Sequence, residues 1–269
     1  MVKSQAMSQI AVPPVVFNLP ASAGATGTPV VSPTFSPLYQ QIKALILQSL
    51  QSGEWKPGEL IPSEVELAYR FKVSQGTVRK AIDELSAENL VMRRQGKGTF
   101  VATHHEARVQ FRFLRLMPDS GEAQQPENQI LEVKRMRGPA DVTRLLDIKA
   151  GDSVVYIRRV QRFDNVPIIL EEIWLPGVIF KGLTAERLVE YKGPMYGLFE
   201  AEFGTQMIRA SEKLHAVAAD EAAVATLGVE LGVPLLSVDR VSYTYGDKPV
   251  EVRRALYLTA HHHYHNELS

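Results

Sequence analysis

The stretch PSEVELAYRFKVSQGTVRKAIDEL, Pro62–Leu85, decides how the first part of this chain is read. It contains two helix starts in close succession. Ser63 is followed three residues later by Glu66, a spacing at which each side chain satisfies an exposed amide of a first helical turn. Ser74 is a second capping residue. After Ser63, Leu67, Ala68 and Phe71 supply one buried face. After Ser74, Val78, Ala81, Ile82 and Leu85 fall on a single stripe of a 3.6-residue period. Upstream, Ser36-Pro37 offers a serine able to cap and a proline suited to a first turn. Leu38, Ile42, Leu45, Ile46 and Leu50 then recur at helical spacing until Gly53. Downstream, Asn89 suits a left-handed helix end, and Leu90–Arg94 and Thr99–Val101 read as two strands joined by Gln95-Gly96-Lys97-Gly98. The sum is three short helices and a hairpin with a basic tip.

Composition bounds what surrounds this block. At 269 residues the chain is long enough for two domains, each with its own core. With 45% hydrophobic and 22% charged residues it reads as an ordinary globular protein. There is no cysteine, which excludes disulfides, thiolate metal sites and cysteine nucleophiles. No apolar run is long enough for a membrane span and no signal peptide is legible, so a cytoplasmic protein without a membrane partner is expected. A formal net charge of zero argues against non-specific coating of nucleic acid and leaves room for a local basic face. Residues 1–34, rich in Ala, Val, Pro, Ser, Gly and Thr, carry no sustained period and read as a disordered tail.

Beyond about Glu106 strands dominate. Gln110–Leu116, Ser153–Phe163, Pro167–Leu175, Pro234–Tyr245 and Val250–Leu258 are strand-like, with turns at Asp164-Asn165 and Gly246-Asp247. Thr184–Tyr191, Met195–Phe203 and Ala219–Leu227 read as helices. The expected fold class is α+β, with a mainly antiparallel sheet in the second domain. The expected division is a tail over 1–34, a first domain over 35–103, a linker over 104–108 and a second domain over 109–265.

A helix, a turn and a second helix followed by a hairpin is the arrangement in which the second helix enters the major groove of DNA and the hairpin lies along the backbone. The third helix leaves Gln75, Thr77, Arg79 and Lys80 off its apolar stripe, available to base edges or phosphates. The hairpin adds Arg93, Arg94 and Lys97, with Gly96 and Gly98 allowing close approach. A helical bundle whose basic residues are merely solvated is the bland alternative from charge alone. Ser36–Val101 closely resembles the DNA-binding domain of the GntR family of bacterial regulators, through Pro37-Leu38-Tyr39, Gly53, Pro57-Gly58, Pro62-Ser63-Glu64, Leu67-Ala68, Phe71, Val73-Ser74, Thr77-Val78-Arg79 and Gly96-Lys97-Gly98-Thr99-Phe100-Val101. The resemblance implies a winged helix-turn-helix whose motif spans about Glu64–Asp83, binding double-stranded operator DNA as a homodimer. The candidate DNA-binding residues are Ser63, Glu64, Ser74, Gln75, Thr77, Arg79, Lys80, Arg94, Lys97 and Gly98. Val65 and Gln75 stand where many members carry arginine, so the operator sequence does not transfer from relatives.

Residues from about Val109 to Tyr264 resemble, more loosely, the UTRA ligand-sensing domain of the HutC branch, which shares its fold with chorismate lyase. The matches are Arg159 through Asp164 and Pro167, Glu171 through Trp174-Leu175-Pro176, Gly193 with Tyr196 and Gly204, Arg240 with Tyr243, and Gly246 through Pro249-Val250-Glu251 and Tyr257. The resemblance implies a six-stranded antiparallel sheet beside an effector pocket, and no catalysis. Arg158, Arg159 and Arg162 on one strand and Arg253 and Arg254 on another are many guanidiniums for a small sheet, and alternation lets only one of each adjacent pair face a pocket. Guanidinium forks suit a carboxylate or phosphate, so a small anionic metabolite is the expected effector, unless these residues only form surface ion pairs. The candidate effector-binding residues are Arg159, Gln161, Glu171, Tyr196, Glu212, Tyr243, Glu251 and Arg253. Gln161 and Pro194 replace an arginine and a ligand-binding serine of relatives, which favours an organic acid over a sugar phosphate.

The run His261-His262-His263-Tyr264-His265 places alternate imidazoles on one face, but only Glu267 is near as a carboxylate, and it is not read as a metal site. No phosphate loop, nucleophile elbow or zinc-protease helix is present, so no catalytic residue and no cofactor is expected. The expected protein is a DNA-binding regulator, read as a repressor modulated by its effector. The alternatives are a chorismate-lyase-like enzyme with a DNA-binding appendage, and a regulator whose second domain only dimerises.

Overall fold

The computed structural model of the chain describes residues 36–104, 115–120 and 125–266. Most of the expected tail, linker and Gln110–Leu116 strand lies outside these residues.

Three helices come first, α1 (Leu38–Gln51), α2 (Glu64–Phe71) and α3 (Gln75–Ala87), then the hairpin β1 (Val91–Arg94) and β2 (Gly98–Val101). The caps form largely as spacing predicts. Ser63 and Glu66 make both halves of a capping box on α2, and the Ser74 side chain accepts from the Thr77 amide at the start of α3. Asn89, just past α3, takes a left-handed backbone with φ +57°. At α1 the expectation fails, because the capping position is Pro37 and no side chain caps it. Ile42, Ile46, Leu67, Val78, Ile82, Leu85, Val91 and Val101 bury together as one core, against which Ile208 and Tyr245 of the second domain also pack.

The second domain is built on β4 (Glu127–Arg137), β5 (Ser153–Phe163), β6 (Val166–Pro176), β7 (Arg209–Ala218), β8 (Pro234–Tyr243) and β9 (Pro249–Tyr257). They form one antiparallel sheet in the order β4-β5-β6-β9-β8-β7. Each half repeats a pattern of strand, short helix and two-stranded hairpin. The helix α4 (Ala140–Leu145) follows β4, and α7 (Glu221–Leu227) follows β7. Asp164 and Asn165, both with positive φ, make the two-residue turn between β5 and β6 whose twist matches the flanking strands. A further pair, β3 (Leu116–Pro118) and β10 (His262–Tyr264), lies outside this sheet.

Strand alternation sends residues to two covered faces. On one, Val154, Tyr156, Trp174 and Val252 pack with Val142 and Leu146 at α4, and Val160, Leu170 and Leu235 pack with Ala223 and Leu227 of α7. On the other, Val155, Ile157, Ile173 and Leu175 meet Leu198 and Phe199 of α6 (Met195–Phe203). The short α5 (Ala185–Glu190), capped by Thr184, precedes α6. Farther along the same face Phe163, Ile169, Val238, Ala255 and Tyr257 form a second apolar group. Between the two apolar groups runs a belt of charged side chains, and it frames the site.

Candidate functional site

Two constellations stand out. The first lies on the exposed side of α2, α3 and the hairpin. Gln75 and Arg79 leave α3 toward α2, where Glu64 accepts from Gln75 Nε2 at 3.3 Å and Arg79 Nε at 2.9 Å. The other oxygen of Glu64 accepts from Arg93 Nη2 at 2.9 Å. Glu64 thus holds two guanidiniums at the surface. Ser74 and Thr77 share a hydroxyl contact of 2.8 Å at the start of α3. Lys80 lies over the Tyr39 ring at 4.0 Å and Arg94 over Phe100 at 4.4 Å, so both cations are steered by aromatic faces. At the hairpin tip Lys97 is exposed between Gly96 and Gly98. Gly98 has φ +106°, and a Cβ there would approach Leu60 Cδ1 to 2.7 Å, so the tip stays thin. Ser63 and Ser74 spend their side chains on caps.

The second constellation is a cavity of about 370 Å³ in the larger domain, lined by Asn128 of β4, Arg159 and Gln161 of β5, Glu171 of β6, Arg240 of β8, Arg253 and Tyr257 of β9, and Lys192–Tyr196 at the start of α6. The register assembles it. Arg159 stands opposite Glu171, and Arg240 lies between Glu212 and Arg253. Glu171 accepts from Arg159 Nε at 2.5 Å and Arg253 Nη1 at 2.7 Å. Arg253 also bridges to Glu251 at 3.0 Å and to the Tyr196 hydroxyl at 3.2 Å, while that hydroxyl donates to Glu251 at 2.7 Å. Arg240 donates to Glu212 at 2.5 Å, and Arg159 Nη1 to Asn128 at 2.9 Å.

Burial alone would push the Glu171 carboxyl up, but Arg159 and Arg253 overcome it and hold it down at about 2. Burial opposes the charge of Arg253, and Glu171 and Glu251 more than restore it, so its pKa rises. Burial raises Tyr257 to about 12 against the opposing pull of Arg240, so its hydroxyl stays protonated. Gln161 gives a weak donor contact to Glu171 at 3.4 Å, and its buried carbonyl oxygen has no hydrogen-bond partner among the described residues.

Of the expected effector residues, Arg159, Gln161, Glu171, Tyr196 and Arg253 line this cavity. Glu212 and Glu251 sit behind it and hold Arg240 and Arg253 in place. Tyr243 is elsewhere, its ring covered by Arg209 at 3.9 Å. Alternation sends Arg158 to Thr226 and Arg254 to Asp141, away from the cavity. Arg240, Tyr257, Asn128 and Lys192 are lining residues that sequence reading did not assign to the pocket. Arg240 and Tyr257 were visible as family matches, and Asn128 was hidden in a strand without a legible pattern. In the histidine run His263 pairs with Asp119 at 2.9 Å, and among the described residues no group of three or more His, Cys, Asp or Glu is placed to hold a metal.

Comparison with known proteins assigns a family model to each of the two domains. The model of the bacterial regulatory proteins of the gntR family matches residues 38–101, and that of the UTRA domain matches residues 121–263. The chain is similar to an HTH-type transcriptional regulator of Mycobacterium tuberculosis, 31% identical over 223 residues, spanning 82% of this chain and 80% of the relative. It is similar to a fructoselysine utilization operon transcriptional repressor of Escherichia coli, described as probable, at 28% identity, spanning 80% of this chain and 88% of the relative. The histidine utilization repressor of Pseudomonas putida is 25% identical, over 84% of this chain and 90% of its own. The crystal structure of the ligand-binding domain of a GntR-family regulator from Bordetella bronchiseptica is 54% identical, with a TM-score of 0.57, covering 59% of this chain and 98% of that one.

Proposed function

The chain belongs to the gntR family of bacterial regulatory proteins, as a DNA-binding transcription regulator with a UTRA domain, and from that premise we propose that it is a cytoplasmic, dimeric repressor released from its operator by a small carboxylate. The winged helix supplies DNA affinity. Arg79, Gln75 and Thr77 on α3 reach base edges, while Arg94 and Lys97 on the hairpin reach phosphates. Glu64 gives up Arg79 and Arg93 to the duplex on binding.

The observation that carries the effector reading is the belt of Arg159, Glu171 and Arg253 on the cavity floor. Three buried arginines, Arg159, Arg240 and Arg253, are balanced by Glu171, Glu212 and Glu251, and exposed Lys192 at the rim tips the balance to positive. Such a belt suits a ligand of low negative charge that shares guanidinium donors with the resident carboxylates rather than a highly charged one. Pro194 at the start of α6 has neither a side-chain hydroxyl nor an amide hydrogen for phosphate oxygens, which favours an organic acid over a sugar phosphate.

The test is a thermal-shift screen of central-metabolic carboxylates and phosphorylated sugars on the full chain, repeated with Arg159→Ala and Glu171→Ala. A ligand at about 100 times its dissociation constant stabilises by roughly 2.7 kcal/mol. The expected result is a carboxylate whose stabilisation disappears in both variants and which weakens DNA binding. Stabilisation that survives both substitutions, or no anion that stabilises, overturns the reading.

A further inference from the structure

We propose that α6 links the cavity to the DNA-binding domain, with Glu200 as the positioning residue that latches the end of that domain; the link rests on reading the cavity as the effector site. The first turn of α6 is cavity wall, through Met195 and Tyr196. One turn on, at i+4 and so on the same side of α6, stands Glu200. Its carboxylate, 7% exposed, accepts from the Thr103 hydroxyl, from the His104 amide at 3.0 Å and from Gln206 Nε2 at 3.1 Å. None of these three donors carries a positive charge. A buried carboxylate held by neutral donors is costly to place unless all of them are kept, so the cluster behaves as one closed unit.

The segment it grips runs directly on from β2. Gln206 also donates to the Ala102 carbonyl at 2.7 Å, and the Met207 amide donates to His104 Nε2 at 3.1 Å. The Ala102 amide in turn donates to the Leu90 carbonyl at 3.1 Å, at the base of the hairpin. The two ends of the device meet at one ring. The Tyr196 side chain, bonded to Glu251 and Arg253 inside the cavity, lies edge-on to His104 with centroids 5.5 Å apart. A carboxylate that engages Arg253 competes for the group that orients Tyr196. Moving that ring shifts the surface on which His104 rests, and the Glu200 cluster either follows or opens. Coupling of this kind acts through the differential affinity of the ligand for the latched and unlatched arrangements.

The experiment is amide hydrogen exchange on the full chain without added anion, reading the amides of His104 and Met207. Glu200→Ala is expected to speed both by about tenfold or more, because the His104 amide loses its charged acceptor and the Met207 amide is left bonded to a His104 that is no longer held. Glu200→Gln should stay close to the parent, because its carbonyl still accepts from His104 and Gln206 while its amide donates to the Thr103 oxygen. Should Glu200→Ala cost the fold, Thr103→Val breaks the latch from the other side and is expected to speed the same two amides. At the cavity end, Tyr196→Leu should free the His104 amide, and Tyr196→Phe, which loses the hydroxyl bonds to Glu251 and Arg253 that orient the ring, should free it to a smaller degree. Unchanged exchange in Glu200→Ala or, where that variant fails to fold, in Thr103→Val overturns the latch. Unchanged exchange in Tyr196→Leu overturns the link to the cavity. These readings need no ligand, so a failed anion screen would sink the effector reading and leave the latch itself standing or falling on its own exchange rates.

Discussion

Glu171 is the side chain whose charge the cavity can least spare. It is 2% exposed and shared by two guanidiniums, so its replacement leaves Arg159 without its carboxylate. Breaking a buried pair in this way costs about 3–5 kcal/mol, and Glu171→Gln is expected to lose about that much in urea denaturation at neutral pH. The sign with pH is fixed by the lowered pKa. With a folded value of about 2 against an unfolded value near 4.5, the stabilisation is complete above about pH 4.5 and disappears as pH falls toward 2. The gap between parent and variant should therefore shrink across that window, and a gap that stays constant would show that the charge of Glu171 is not its source. On the DNA face Arg79 and Lys97 should fail differently. Arg79→Ala should cost about 1–3 kcal/mol on the true operator and less on random DNA. Lys97→Ala should weaken binding to all duplexes and lower the salt slope by about one, as read by fluorescence anisotropy over a salt series.

Among the elements, α2 is the one most dependent on its ends. It has eight residues, only Leu67 fully buried, and a complete capping box at its start. Ser63→Ala removes the acceptor for the Glu66 amide and the hydroxyl that, with the Ser63 amide, draws the Glu66 carboxyl below its usual value. The expected loss is about 1 kcal/mol in denaturant unfolding, with DNA affinity reduced because Glu64, which orients Arg79 and Arg93, sits in the same first turn. No loss in either measurement would show the cap to be dispensable. The two edge strands behave in the opposite way. β4 and β7 are exposed along most of their length, β4 shifts register between Ile130 and Glu132, and both are held by pairing with an inner strand rather than by a buried face. A strand of this kind leaves little alternation in its sequence, which is why neither is legible in ENQILEVKRMR or RASEKLHAVA.

For the molecule as a whole, the proposed dimer would set two copies of α3 about one helical turn apart, each on one half-site of a near-palindromic operator. Sedimentation is expected to show two chains per operator duplex, with a duplex carrying a single half-site bound much more weakly. One chain bound tightly to a single half-site would contradict the dimer. Effector and operator must also affect one another equally, so a carboxylate that weakens DNA binding by some factor must itself be bound more weakly, by that factor, in the presence of operator.

What the sequence by itself determined is the part whose causes are local. The winged helix is written in caps three residues apart, stripes at helical period and a glycine-flanked hairpin, all within residues 36–101, so each signal and its partner lie close along the chain. Alternation likewise determined that only one of Arg158 and Arg159, and one of Arg253 and Arg254, would share a pocket. The sequence candidates were Arg159 and Arg253, and the tertiary structure supplies the reason they are the ones that share the cavity, namely what covers each face of the sheet: α6 over Arg159 and Arg253, α4 and α7 over Arg158 and Arg254. It also moved Glu212 and Glu251 from pocket wall to support, set Tyr243 under Arg209, and brought Glu200 to Thr103 and His104 from nearly a hundred residues away. Contacts closed over such a distance follow from how the sheet and helices pack, and no pattern in the sequence near Glu200 carries that information.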